Sequence, residues 1–200
     1  MKSIKGLRLH NTYYVMRHGE SFTNAHHIVS SSVKEKYELT NKGKRVAQKS
    51  SGVLCTKTHI DLVFVSPVHR TKKTFKIVEN WCGNIPVTYD KRLIEIRFGI
   101  FENKTVKQYN DFFGEGLHRV GYSMTARAPK GESFVDVQNR MIDIFKEINN
   151  KYRDKKILLV SHGDPLWLLR VARKGIVTTK EIWKTQKTLY VKPGRVYAFT

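Results

Sequence analysis

The sequence predicts an α/β fold with a mainly parallel sheet, and three observations predict it. Short apolar runs alternate with segments of helical periodicity. The runs at 13–16, 62–65 and 157–160 are each followed at once by small or polar residues, as buried parallel strands are. No internal repeat, low-complexity stretch or long linker divides the 200 residues, a length that suits one domain with a sizeable core.

The elements follow in order. The first run, Tyr13-Tyr14-Val15-Met16, leads into Arg17-His18-Gly19-Glu20. Thr40 precedes a helical stretch to about residue 54, and its hydroxyl is placed to accept a first-turn N–H. After the second run, Pro67 sits where a proline opens a helix, here one running to about residue 80. Residues 102–130 are irregular and contain glycine, which marks them as an inserted, substrate-facing segment. Ser133 and Asp136 form a capping-box pattern with Asp in place of the usual Glu. Behind it Val137, Met141, Ile144, Phe145 and Ile148 recur at helical spacing and read as core. Pro165 opens a helix that carries Leu166, Leu169 and Val171, and residues 190–191 and 196–199 read as strands or strand edges.

Composition narrows the class. A hydrophobic fraction of 40% and an aromatic fraction of 11% exclude a disordered chain. The net charge of +20, from 37 Lys and Arg against 17 Asp and Glu, calls for an anionic partner or substrate. Phosphate esters, nucleic acid and acidic surfaces all answer that description. Cys55 and Cys82 lack metal-ligand spacing and read as neither a metal site nor a disulfide framework, so a reduced, cytoplasmic setting is expected. The first residues hold no apolar signal core, and no run approaches the ~18 apolar residues of a membrane span.

The chemistry gathers where strands end. Arg17-His18 follows the first run, Ser66-Pro67-Val68-His69-Arg70 the second, and Ser161-His162-Gly163 the last. In a parallel sheet these ends share one edge, so two Arg and two His converge. Such a cluster is costly without an anion among its members. A phosphoryl group supplies one: guanidinium forks match its oxygens, and a neutral imidazole attacks phosphorus. His26 and His27 read as plain loop residues, and His69 as orientational or exposed.

Six segments carry a resemblance, in order from about residue 12 to 170. They are Arg17-His18-Gly19-Glu20-Ser21-Phe22-Thr23-Asn24, Leu39-Thr40-Asn41-Lys42-Gly43, Ser66-Pro67-Val68-His69-Arg70-Thr71, the stretch from Leu93 to Glu102, Gly131-Glu132-Ser133 with Asp136, and Val160-Ser161-His162-Gly163. They resemble the RHGxSxxN, LTxxG, SPxxR, LxEixfGxwEG, GESxxD and VSHG segments of the histidine phosphatase superfamily. The resemblance implies a three-layer α/β/α, phosphoglycerate mutase-like fold, formed by residues 1–200 as a single domain with its insertion at about 102–130. It implies a phosphomonoesterase that needs no metal and no cofactor. His18 would carry the phosphoryl group. Arg17, Arg70, His162 and Asn24 would bind its oxygens. Glu95 would protonate the leaving alkoxide and then activate water.

The alternatives are a mutase-type phosphotransferase and a basic RNA- or polyanion-binding module, such as a domain of a larger RNA-handling protein. The Leu93–Gly99 stretch is closer to the phosphatase form than to the LNERxYG of cofactor-dependent mutases, and no nucleic-acid motif accompanies the charge. Arg97, Ile100, Asn103, Lys73 and Phe75 depart from the family pattern and leave the substrate open. A phosphorylated small molecule is the expected partner.

Overall fold

The computed structural model describes residues 1–114 and 123–199. Among them the order is β1 (Thr12–Arg17), α1 (Phe22–Ala25), α2 (Asn41–Lys57), β2 (Leu62–Val65), α3 (His69–Cys82), β3 (Val87–Tyr89), α4 (Val106–Phe112), α5 (Phe134–Lys151), β4 (Lys156–Ser161), α6 (Gly163–Lys174), α7 (Thr179–Lys184), α8 (Gln186–Leu189) and β5 (Val196–Phe199). Two 3₁₀ turns, Lys91–Leu93 and Gly99–Phe101, lie between β3 and α4.

The described strands form one sheet in the order β3-β2-β4-β1-β5. Its pairs are parallel except β5, which runs antiparallel along β1. Alternation along each strand sends side chains to opposite faces. Tyr13, Val15, Ile157 and Leu159 join α5 and α6 in one core. Met16, Val63, Val65, Leu158 and Val160 join α2 and α3 in a second. Two cores on the two faces of one sheet make the three layers.

Register is what serves the site. Arg17 pairs with Ser161, and Val65 with Val160. The ladder continues past the strands through His18 N–H to Ser161 O (3.0 Å) and Ser66 N–H to Val160 O (3.0 Å). His18, Ser66 and His162 therefore leave three neighbouring strands at one level.

Several local expectations hold and others need correction. Thr40 caps α2 through Gly43 N–H, and Ser133 with Asp136 forms the capping box of α5. The five apolar residues at helical spacing in α5 are all buried. Pro67, however, lies outside α3, which starts at His69 behind Val68. Pro165 is the third residue of α6 rather than its opener. Both prolines stand where no helical N–H is needed, so either start suits them. Residues 190–191 form no strand, because Tyr190 is the residue after α8. Strand β3 was not expected: its three residues are all exposed, so no apolar run marks them. Of the expected insertion at 102–130, residues 115–122 lie outside the described residues, and the rest holds α4.

The cysteines are the clearest correction. Cys55 and Cys82 form a disulfide, with Cα atoms 5.1 Å apart and a separation of 27 positions in sequence. They sit toward the C-terminal ends of α2 and α3, which pack side by side on one face of the sheet. The pairing follows from that packing, which spacing in a sequence does not report.

Candidate active site

The loop after β1 is held by backbone contact. A Cβ at Gly19 would come 2.7 Å from Gly43 O, and one at Gly43 would strike the backbone of Glu20. The start of α2 thus presses on the loop that carries His18, which only glycines permit. Gly19 N–H also donates to Thr74 Oγ1 of α3 at 3.0 Å. Two helices therefore fix the loop that carries His18.

His18 is buried, at 1% exposure. Its Nδ1 lies 2.8 Å from Gly19 O, a carbonyl that can only accept, so Nδ1 carries the proton. That leaves a lone pair on Nε2, which accepts from Arg70 Nε at 3.1 Å. Burial, and then the charges of Arg70 and Arg17, hold its pKa well below the usual histidine range. The imidazole is neutral, with its free electron pair on one defined nitrogen.

Arg70, the second residue of α3, is 3% exposed. Besides His18 it donates through Nη2 to Ser30 O (2.8 Å) and to His162 Nδ1 (3.0 Å). Since a guanidinium cannot accept, His162 Nδ1 must, and His162 Nε2–H then donates to Ser66 Oγ at 2.8 Å. Burial lowers the Arg70 pKa to about 10 against the pull of Glu95, which leaves it charged at neutral pH. Burial also drives His162 well below the usual range.

Arg17 lies with its guanidinium carbon 5.3 Å from the centre of the Tyr190 ring, a cation–π contact. Its Nε is buried and has no hydrogen-bond partner among the described residues. The Tyr190 hydroxyl donates to Asp164 Oδ1 at 3.0 Å. Asn24 uses its Oδ1 to accept from Ser21 N–H and Oγ–H, both at 3.0 Å. Its amide NH₂ is the donor that remains to offer an anion.

Glu95 is 8% exposed and accepts from Ile96 N–H at 3.0 Å. Its pKa rises from an ordinary 4.5 to about 7. Burial is the main cause and the Asp164 charge the next, while Arg17 and Arg70 pull the other way. Cations alone would keep this carboxyl ionised; burial outweighs them and lets it hold a proton. The loop of Glu95 is braced from α5. Arg140 donates to Arg92 O (2.6 Å) and Glu95 O (3.1 Å) while paired with buried Glu132 (3.0 Å). Glu132 also accepts from Arg97 N–H at 3.0 Å.

A cavity of about 210 Å³ brings the expected residues together: Arg17, His18, Asn24, Arg70 and Glu95 all line it. His162 stands behind Arg70, fully buried, with both ring nitrogens engaged. His26 and His69 lie outside the lining, His26 stacked on Phe22 and His69 bonded to Glu38 at 2.7 Å. Sequence reasoning passed over Ser30, Asp164, Tyr190 and the Arg140–Glu132 brace. Ser66 and Glu132 stand inside matched segments, so the signal for them was present, whereas Ser30 and Tyr190 join the site only through the fold. Among the described residues, no group of three or more His, Cys, Asp or Glu is placed to hold a metal ion.

Comparison with known proteins accords with this geometry. The family model described as the histidine phosphatase superfamily (branch 1) matches residues 13–186. A probable phosphoglycerate mutase, GpmB, of Salmonella choleraesuis is 30% identical over 158 residues, 78% of this chain and 71% of that one. Phosphoserine phosphatase 1 of Hydrogenobacter thermophilus is 27% identical over 145 residues, 72% of this chain and 67% of that one. Among solved structures, YhfR of Bacillus stearothermophilus superposes with a TM-score of 0.75 at 28% identity, covering 86% of this chain and 84% of its own. The α-ribazole phosphatase of Shigella flexneri shares the fold, with a TM-score of 0.74 at 24% identity over 94% of this chain and 89% of its own.

The raised Glu95 pKa has a stability consequence with a definite sign. A carboxyl whose folded value lies above its unfolded one binds its proton more tightly when folded. Its contribution is full below about pH 4.5 and is lost as pH rises through about 7. Glu95→Gln removes that loss. Its Tm should exceed that of the wild type by at least ~2 °C at pH 8, with the gap closing toward pH 5. A gap that is constant with pH, read by calorimetry, contradicts the shift.

Proposed function

The chain belongs to the histidine phosphatase superfamily, and from that premise we propose that it is a phosphomonoesterase working through a phosphohistidine on His18. One observation carries the reading. A neutral imidazole, its Nδ1–H tied to Gly19 O, points its Nε2 lone pair at a buried guanidinium inside a cavity.

The steps follow from the residues. An incoming phosphate dianion takes the place at Nε2 that the Arg70 guanidinium shares, and that group turns its donors to the phosphoryl oxygens. Arg17, with a buried Nε lacking a partner among the described residues, supplies a second fork. Asn24 adds its amide. His162 acts through Arg70, whose Nη2 it holds. Nε2 attacks phosphorus as the bond to the ester oxygen breaks. The proton on Glu95 passes to the departing alkoxide, so neutral alcohol leaves. The ring, now bonded at both nitrogens, keeps its Nδ1–H on Gly19 O. Glu95, ionised by that transfer, takes a proton from water as the water oxygen attacks phosphorus. The N–P bond breaks, its electron pair returns to Nε2, and phosphate leaves. A carboxyl with a pKa of about 7 serves both halves near neutral pH.

The relatives support phosphoryl transfer to water or to another alcohol, being named a phosphatase and a probable mutase. We also infer that residues 1–200 work as one domain, which the continuous sheet supports. A cytoplasmic setting belongs to the same proposal. No described helix is long and apolar enough to cross a membrane. The Cys55–Cys82 bond, of a kind that persists in oxidising surroundings, is the observation that such a setting has to accommodate.

Contact with RNA or another polyanion is a second reading, and one feature favours it. Among the described residues, the groove between α2 and β5 is lined by Lys49, Lys57 and Arg195 and by no carboxylate. Retention of a tRNA pool that weakens steeply with salt supports it; no retention at low ionic strength removes it.

Phosphate release from an alkyl ester tests the main reading. His18→Ala should lose at least ~10³-fold in kcat, and full turnover by that variant sinks the mechanism. Glu95→Gln should slow an alkyl phosphate ~10²-fold or more and an activated aryl phosphate far less. Equal losses on both remove the acid role.

A further inference from the structure

Resting on the phosphomonoesterase reading above, we propose that the cavity selects phosphate esters of apolar alcohols, aryl-alkyl ones above all. Part of the cavity wall is aromatic. Phe98, Tyr109, Phe134 and Trp183 all line the cavity. Each keeps 7–8% of its surface exposed, whereas the core aromatics Phe145 and Trp167 keep none. The four are also rigid. Phe98 meets Tyr109 edge to face at 5.0 Å, Phe134 meets Trp183 at 5.6 Å, and Trp183 rests on Trp167 at 5.5 Å. Ile28, Val29 and Val106 extend the apolar lining. A preformed aromatic slot rewards an apolar group that leaves water for it.

Charge is gathered near the nucleophile of the proposed mechanism. Among the described residues, the cations that line the cavity are Arg17 and Arg70. Both stand at the His18 end, where the phosphoryl group itself takes them. The other charged groups of the lining are the carboxyls of Glu95 and Asp164. Glu95 feels the charges of Asp164, Arg17 and Arg70, so these carboxyls belong to the same end. Recognition thus divides into a cationic end that reads the phosphoryl group and an aromatic end that reads the alcohol.

The test compares kcat/KM for 2-phenylethyl phosphate and 3-phosphoglycerate, both of which expel a primary alkoxide, with phosphocholine as a third ester. The aryl-alkyl ester should lead each of the others by at least ~10-fold, the scale expected for burying one phenyl group. Phe98→Ala and Trp183→Ala should narrow that lead by at least ~3-fold, mainly by raising KM for the aryl-alkyl ester. Circular dichroism identifies a variant that fails to fold, and the wild-type ratio decides the question in that event. Turnover that His18→Ala abolishes, but that is equal or faster on 3-phosphoglycerate or phosphocholine, overturns this specificity and leaves the phosphatase reading standing. Phosphate release that His18→Ala leaves intact overturns the phosphatase reading instead.

Discussion

The Arg70 guanidinium, charged and 3% exposed, lies between two imidazoles, and the site depends on that placement. A buried cation demands acceptors. Arg70 has three: His18 Nε2, His162 Nδ1 and Ser30 O. Its needs fix the protonation of both rings, because each must offer a lone pair. Gly19 O and Ser66 Oγ then receive the remaining ring protons. One charge thus orients the His18 ring, keeps it neutral and leaves a cation poised for an anion. The sheet makes the placement possible, since parallel register brings β1, β2 and β4 to an end at one level.

Glu95 answers to a different balance. Two guanidinium groups favour its ionised form, and burial with a neighbouring Asp164 favours the neutral one. Burial prevails, which gives a carboxyl that can both lend and take a proton near neutrality. Its backbone is steadied from α5, where Arg140 joins the carbonyls of Arg92 and Glu95 to buried Glu132. The Gly131-Glu132-Ser133 segment thereby gains two physical roles. Glu132 anchors the brace, and Ser133 caps the helix that supplies Arg140.

Much of this was legible in the residues because chain order and strand ends carry it. Arg17, His18, Ser66 and His162 stand at the ends of apolar runs, with Arg70 four residues on from Ser66, and parallel strands oblige such positions to meet. Glu95 and Asn24 came from the resemblance, and Glu95's raised pKa only from the fold, since a sequence does not weigh burial against charge. The disulfide, Ser30 and Tyr190 were out of reach for another reason. Cys55 meets Cys82 through the packing of α2 on α3. Tyr190 reaches Asp164 through the turn after α8. Such contacts depend on how helices lie against each other rather than on any local pattern. Short, exposed β3 carries no apolar run to announce it.

In the proposed mechanism one nitrogen of one histidine holds the phosphoryl group. Gly19 O and Arg70 together assign the lone pair to His18 Nε2. Rapid quenching under base during turnover, followed by peptide mapping and phosphorus NMR of the phosphopeptide, reads this directly. The structure predicts one acid-labile phosphohistidine, at His18, substituted on Nε2. Phosphate on Nδ1 of His18, or on His162, would contradict the assignment on which the mechanism rests.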